Sequence, residues 1–192
     1  MESLPPGPEG PGHPPATRLA APSRVVLRFT AGSFQIGRCT HNLCVARNPD
    51  VICPCRVRDA TPVRYVDCCG RWHDGLPSGE YAPTPEALMR SRYSAYALAQ
   101  GGRGARGRPL LEYLMKTWHS FTAPGDLELG PMNWTGLDVL DQSASGDAGV
   151  VEFVAYHKAG GRAGKLHEVS RFVREAGAWL YVDGVTAPGE QD

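Results

Sequence analysis

The sequence predicts an α+β fold in which two or three helices pack on an antiparallel sheet, preceded by a small zinc knuckle, the loop that carries Cys53, Cys55, Cys68 and Cys69. All six cysteines lie between residues 39 and 69. After residue 81, apolar residues first recur at helical spacing and then alternate as in strands. Helices followed by a run of strands are typical of an α+β domain.

The composition limits what the protein can do. A chain of 192 residues holds one medium domain and a small appendage. Because 20 basic residues balance 20 acidic residues, no net field favours nucleic acid or an anionic membrane surface. No apolar run approaches the roughly 20 residues that span a bilayer. We therefore expect a soluble protein without nucleic-acid or membrane partners.

Residues 1–38 are expected to form a poorly ordered extension, because their proline, glycine and alanine offer few side chains to bury. Within them, Arg24 to Ile36 fits either an edge strand or no regular structure. The basic start and apolar centre of a secretory signal are missing, so a cytoplasmic location with reduced cysteines is predicted. Residues 187–192 are expected to form a short tail.

The cysteine-rich segment, residues 39–80, predicts a metal site. Cys53 and Cys55 form one close pair and Cys68 and Cys69 another, which supplies the four thiolates that one structural zinc ion prefers. His73 is a reserve ligand. The alternative is that some of these cysteines are free and half-buried. Cys39 and Cys44, earlier in the segment, are expected to be free thiols.

Two helices are predicted next. Thr84 is a suitable N-cap, Pro85 suits the first helical position, and Gly101-Gly102 ends the first helix. Its expected buried face leaves Arg90 and Arg92 away from the centre. That face comprises Leu88, Met89, Tyr93 and Tyr96.

The second helix is predicted from Pro109 to about Thr122. The loop between the helices contains Arg103, Arg106 and Arg108, which are expected to be solvated. The apolar stripe of the second helix comprises Leu111, Leu114, Met115 and Trp118.

Four strands joined by glycine-containing turns predict an antiparallel meander. The two-residue connection Ala176-Gly177 sets the last hairpin, so Phe172 should pair with Tyr181 and Ser170 with Asp183. The predicted strands are Trp134 to Leu140, Val150 to Lys158, Lys165 to Glu175 and Ala178 to Val185.

Strand alternation divides the side chains of this hairpin between two faces. The helices should cover the first, and a protein partner, the knuckle or a second copy of the chain should cover the other, which allows a homodimer. The first face holds Glu168, Ser170, Phe172, Trp179, Tyr181 and Asp183. The second holds His167, Val169, Val173, Leu180 and Val182.

Several sequence blocks resemble the YchJ family of bacterial proteins. The resemblance covers about Ile52 to Val185, and its most specific block is Leu88 to Tyr96. The matching positions include Cys53-Pro54-Cys55, Cys68-Cys69-Gly70, His73, Leu88-Met89-Arg90-Ser91-Arg92-Tyr93-Ser94-Ala95-Tyr96, Thr117-Trp118, Trp134, His167-Glu168, Ser170, Phe172, Trp179, Tyr181 and Asp183-Gly184.

The resemblance implies that residues 39–80 form a zinc-binding motif of the SEC-C type. It also implies that residues 81–186 form a nuclear transport factor 2-like (cystatin-like) cone, a curved sheet wrapped round helices. The SEC-C motif is similar to the zinc tail of the SecA translocation motor, which makes protein contacts. Family members usually read Cys-Pro-Cys-Gly-Ser-Gly, whereas Arg56 to Asp67 lacks those glycines.

Two functions are consistent with these features. The first is a zinc-stabilised interaction module whose surface arginines bind an acidic protein or RNA; alternatively, the knuckle only caps the sheet. These arginines are Arg56, Arg58, Arg64 and Arg71.

The second function is a small-ligand site inside the cone. Its predicted lining comprises Trp118, Trp134, Glu168, Ser170, Phe172, Trp179, Tyr181 and Asp183. An isomerase-like or dehydratase-like enzyme using Glu168 and Asp183 for proton transfer is the alternative. The alternative to both is that Ser170 and Asp183 satisfy each other and nearby backbone while Glu168 lies at a solvated strand end, and that the three tryptophans are core. No catalytic residue is assigned.

Overall fold

The computed structural model describes residues 51–99 and 107–186. It contains three helices, α1 (Gly70–Gly75), α2 (Pro85–Ala99) and α3 (Gly107–Lys116). Four strands follow, β1 (Asn133–Ser145), β2 (Ala148–Ala159), β3 (Arg162–Glu175) and β4 (Ala178–Thr186). The predictions for the extension, for Cys39 and Cys44, for Arg103 and Arg106, and for the tail lie outside the described residues.

The knuckle is a loop closed by backbone hydrogen bonds. The Cys53 amide donates to the Val63 carbonyl (2.8 Å), and the Tyr65 amide donates to the Val51 carbonyl (2.7 Å). This short antiparallel bridge brings the two ends of the loop together. The 3₁₀ turn Pro54–Arg56 follows the first end, and the 3₁₀ turn Tyr65–Asp67 followed by α1 continues from the second. The two cysteine pairs therefore face each other.

Helix α2 is the centre of the molecule. The Thr84 hydroxyl accepts a hydrogen bond from the Ala87 amide (3.1 Å), which confirms the predicted N-cap. The expectation that Arg90 and Arg92 lie off the buried face is wrong, since they are only 8% and 5% exposed. The knuckle, α3 and the sheet all pack against α2, so its burial extends round most of its circumference rather than along one stripe.

Helix α3 ends at Lys116 rather than near Thr122, where the sequence placed its end. Past Lys116 the backbone pairs with β4. The Tyr181 amide donates to the Thr117 carbonyl (2.9 Å), and the His119 amide donates to the Tyr181 carbonyl (2.8 Å). These bonds take backbone groups that a longer helix would use internally, so tertiary pairing ends the helix.

The strands form one antiparallel sheet in the order β1-β2-β3-β4, which confirms the predicted meander. Ala176 and Gly177 both have positive φ, 48° and 87°, as a tight hairpin turn requires. The predicted pairing of Phe172 with Tyr181 is confirmed.

Beyond Phe172 the predicted register of the last hairpin is wrong. Asp183 pairs with Arg171, and Ser170 pairs with Gly184, because a β-bulge shifts β4 by one residue. A one-residue shift moves each following side chain to the opposite face of the sheet. Asp183 therefore turns away from the helices, and its carboxylate accepts a hydrogen bond from Arg171 Nε (2.6 Å).

The helix-covered face of the sheet supplies most of the core, whereas the other face is partly open. On the open face, His167 Nε2 lies 2.7 Å from Glu152 Oε1, and Val150 and Val169 are each 37% exposed. The knuckle reaches this face at Arg58, which stacks over the Tyr156 ring. That a second copy of the chain or another partner covers this open face stays a prediction. Within residues 51–99 and 107–186, no helix is long and apolar enough to cross a membrane.

The contact between β2 and the start of α2 depends on Gly149. A Cβ there would overlap Pro85 Cγ and touch the Trp179 ring. We predict that Gly149→Ala lowers the free energy of unfolding by about 1–3 kcal/mol, because the proline ring cannot move aside without shifting the helix. Gly125→Ala, where a Cβ meets nothing within 4 Å, is the control. Equal urea midpoints for the two variants would contradict this packing.

Candidate functional site

The four knuckle cysteines bring their sulfur atoms together. All four sulfurs lie within 4.8 Å of one another. The Sγ atom of Cys55 lies 3.5 Å from that of Cys53, 3.7 Å from that of Cys68 and 3.5 Å from that of Cys69. The sulfurs of Cys68 and Cys69 are 3.8 Å apart. These distances far exceed the roughly 2.05 Å of a disulfide bond.

The cluster has the dimensions of a tetrahedral metal centre. Bonds of about 2.3 Å from a central ion to four sulfurs give sulfur–sulfur separations of about 3.8 Å. Three of the cysteines, Cys53, Cys55 and Cys69, are fully buried. Hydrogen bonds from those three thiols lower the pKa of the fourth, Cys68, which favours its thiolate form. The donor set, the spacing and the burial all fit a metal ion, so the cluster can bind one.

His73 is not available as the predicted reserve ligand. Its Nε2 donates to the Ser91 carbonyl (2.9 Å), and its Nδ1 accepts a hydrogen bond from the Tyr65 hydroxyl (2.6 Å). Its ring also packs edge-on against Tyr113, with 4.5 Å between centroids. Since both nitrogens have protein partners, His73 joins the knuckle to α2 and α3 instead of binding metal.

Helix α2 supports the cysteine cluster directly. The Ser94 hydroxyl lies 3.4 Å from Cys53 Sγ. Arg90 Nη1 donates to the Cys55 carbonyl (3.1 Å), and its Nε donates to Glu86 (2.6 Å). A serine and an arginine one turn apart thus hold the first cysteine pair in place.

The arginines predicted to decorate the knuckle are mostly engaged within the protein. Arg56 pairs with Asp59 at 2.7 Å, Arg58 with Asp138 at 2.9 Å, and Arg64 with Asp67 through hydrogen bonds. Arg71 stacks on the ring of Trp72, at 4.2 Å from its centroid.

A cavity of about 290 Å³ lies between α2 and the sheet. Six of the eight residues predicted to line it do so: Trp118, Trp134, Glu168, Ser170, Phe172 and Tyr181. Asp183 does not, because of the bulge. Trp179 does not either: it is 6% exposed in the core, and its Nε1 donates to the Pro83 carbonyl (3.2 Å).

Seven further lining residues were not predicted: Met89, Arg92, Tyr93, Tyr96, Phe153, Ala155 and Leu166. Four of these come from α2, where positions 89, 92, 93 and 96 share one helical face. That spacing was readable from the sequence and includes Arg92. The other three come from β2 and β3, and their placement required the register between those strands.

The cavity contains two ionisable groups of opposite charge. Glu168 Oε1 accepts a short hydrogen bond from the Ser170 hydroxyl (2.5 Å) and lies 3.5 Å from the Tyr181 hydroxyl. Arg92 Nη1 donates to the Leu114 carbonyl (2.7 Å) and to the Thr117 hydroxyl oxygen (2.8 Å). Burial lowers the pKa of Arg92, but a guanidinium starts so high that it keeps its proton.

Burial also lowers the pKa of His73, to about 4, against 6.5 for an exposed histidine. Between these values the unfolded chain binds a proton that the folded chain does not, so stability falls as pH drops. We predict that wild type loses stability relative to His73→Gln from pH 6.5 to pH 4, by about 3 kcal/mol at most. Chemical denaturation of both proteins across this range measures the difference in their free energies of unfolding. A difference that does not change with pH would contradict the lowered pKa of His73.

Comparisons with known proteins agree with this architecture. A family model described as "YchJ, middle NTF2-like domain" matches residues 84–184. A UPF0225 protein of Bordetella pertussis is 45% identical over 135 residues, covering 69% of this chain and 90% of that protein. A UPF0225 protein of Streptomyces coelicolor is 44% identical over 137 residues, covering 71% of this chain and 96% of that protein.

Two solved structures are similar to this chain. The crystal structure of a SEC-C motif containing protein from Psychrobacter arcticus has a TM-score of 0.58 at 30% identity, covering 73% of this chain and 85% of that one. The solution structure of a SEC-C motif containing protein from Rhodopseudomonas palustris has a TM-score of 0.57 at 30% identity, covering 71% and 99%. The chain therefore belongs to the YchJ family of UPF0225 proteins, and its residues 84–184 form the nuclear transport factor 2-like domain of that family.

Proposed function

We propose that this protein binds a small molecule in its cavity and that a structural zinc ion in the knuckle stabilises the helix that forms one cavity wall. The observation that carries the proposal is a space of about 290 Å³, bounded mainly by apolar and aromatic side chains, into which Arg92 and Glu168 project. Apolar walls with a few convergent polar groups are the usual composition of a ligand site.

The geometry favours this function over a protein-interaction surface on the knuckle. Arg56, Arg58 and Arg64 each pair with an aspartate, so an acidic partner would have to displace those carboxylates. Exposed ion pairs contribute little stability, but they remove net positive charge from the surface. The basic patch expected from the sequence is therefore largely neutralised.

The geometry also favours binding over the proton-transfer alternative. That alternative used Glu168 and Asp183 together, and Asp183 faces away from the cavity beside Arg171. Of the residues that line the cavity, Glu168 is the one carboxylate among those described. General acid–base catalysis commonly relies on two groups with different proton affinities.

Zinc is the metal that the cysteine cluster suits. Four thiolates in a closed tetrahedron form a structural zinc site, because the ion has no open position for a substrate. The two solved structures described as SEC-C motif containing proteins support the same assignment. Such an ion would hold the knuckle against α2 through Cys53 and Ser94.

We predict that purified protein contains one equivalent of zinc per chain and that Cys69→Ser loses it, because the substitution removes one of the four sulfur ligands. Cys44→Ser is the matched control and should retain the zinc, since the four cysteines of the cluster already complete a tetrahedral site. Elemental analysis by mass spectrometry measures both. Zinc retained at full occupancy in Cys69→Ser, or lost in Cys44→Ser, would overturn the ligand set.

The binding function is tested with a fragment library observed by amide NMR. We predict that bound fragments shift signals of α2 and β3, and that Ala155→Leu, which fills the cavity from β2, abolishes these shifts. Ala159→Leu makes the same change on the same strand outside the cavity lining and should leave them intact. A library without hits on the wild-type protein, or hits that Ala155→Leu leaves unchanged, would contradict the proposal.

A further inference from the structure

Arg92 is a buried cation that faces the cavity. It is 5% exposed, and its guanidinium carbon lies 4.8 Å from the Trp118 ring centroid and 4.6 Å from that of Tyr181. Its hydrogen bonds to Leu114 and Thr117 both leave from Nη1. A guanidinium carries five N–H donors, so donors remain for a ligand even though the Tyr96 hydroxyl also interacts with Arg92.

Arg92 forms no salt bridge with a carboxylate among residues 51–99 and 107–186: its hydrogen-bond acceptors are a carbonyl and a hydroxyl. The charge of Glu168, in the same cavity, partly offsets the lowering of the Arg92 pKa by burial. The aromatic rings on either side compensate only part of the desolvation of a buried charge. An anionic group entering the cavity would supply the missing partner, and guanidinium suits a carboxylate through two parallel hydrogen bonds.

Glu168 is the second charged group of the same cavity. Its Oε1 lies near the hydroxyl of Tyr181, and Arg92 lies over the ring of that tyrosine. Both charged groups thus lie beside Tyr181. Ser170 already donates to Glu168 (2.5 Å), and a carboxylate has further acceptor sites for a ligand donor.

The volume and walls of the cavity limit the size and shape of a ligand. A protein cavity of about 150 Å³ holds one benzene molecule, so a space of about 290 Å³ has room for roughly two rings. Trp118, Trp134, Phe172 and Tyr181 present aromatic surfaces to it. Flat rings pack well against such walls.

We infer that the cavity selects a flat, two-ring aromatic acid that also carries a hydrogen-bond donor, with the carboxylate bound by Arg92 and the donor bound by Glu168. This inference rests on the proposed binding function, because it names the ligand class for the same cavity. It assigns Arg92 as the group that recognises charge and Glu168 as the group that recognises a hydroxyl.

Three fluorescent probes of nearly equal shape test the inference on the wild-type protein. They are 6-hydroxy-2-naphthoate, which has both polar groups, 2-naphthoate, which lacks the hydroxyl, and 2-naphthol, which lacks the carboxylate. We expect 6-hydroxy-2-naphthoate to bind most tightly, with a loss of affinity of at least tenfold for 2-naphthol and a few-fold for 2-naphthoate, because the charged contact is the stronger.

Two variants then test the contacts of Glu168 and Arg92 separately. Glu168→Leu should remove the difference between the two acids while the preference for acid over naphthol remains. Arg92→Met should remove the preference for acids; if this variant does not fold, the comparison of probes on wild type still decides the charge requirement. Binding of 2-naphthol as tight as that of the acids would overturn the inference.

The outcome for the ligand class is distinguishable from the outcome for the binding function. If the fragment library shows hits that Ala155→Leu abolishes but none of the three probes binds, the cavity binds small molecules and the aromatic-acid class is wrong. If the probes bind equally well to Ala155→Leu, they bind outside the cavity, which also contradicts the inference. If the library finds nothing either, the binding function itself fails.

Discussion

The rest of the structure depends on the burial of α2 by three different neighbours. The knuckle covers one side of this helix, α3 covers a second, and the sheet covers a third. A helix enclosed in this way cannot keep its polar residues on a solvent face, so its buried polar side chains depend on partners within the protein. Ser91, Ser94, Arg90 and Arg92 all have such partners, which join the helix to the knuckle and to α3.

One arginine of α2 contacts the loop of the cysteine cluster, and the other lines the cavity. Arg90 extends to the Cys55 carbonyl and fixes the turn that presents the first cysteine pair. Arg92, two residues later and therefore on another side of the helix, binds the end of α3 and lines the cavity. Loss of the knuckle would therefore disturb a helix that also forms a cavity wall, so the proposed zinc ion would affect the proposed ligand binding without contacting the ligand.

The segment Arg56 to Asp67 shows how a departure from the family's glycine-rich sequence is accommodated. Arg58 crosses to β1, where it pairs with Asp138 and stacks on Tyr156. A Cβ at Gly136 would overlap the Arg58 side chain, so the glycine leaves room for that side chain on the strand. This contact attaches the loop to the sheet. It occupies Arg58, which was predicted from the sequence to bind a partner.

Local spacing and turn chemistry were enough to predict the α+β class, the N-cap of α2, the meander and the grouping of the four cysteines. Four cavity residues, Glu168, Ser170, Phe172 and Tyr181, could also be predicted, since strand alternation carries a side chain to a predictable face until a bulge interrupts it. Four features could be found only from the tertiary structure. They are the early end of α3, the bulge that turns Asp183 outward, the hydrogen bonds of both His73 nitrogens, and the position of Arg92 in the cavity. Each of these depends on a partner distant along the chain that competes for the same hydrogen-bonding group or fills the same space, and spacing alone does not encode that competition.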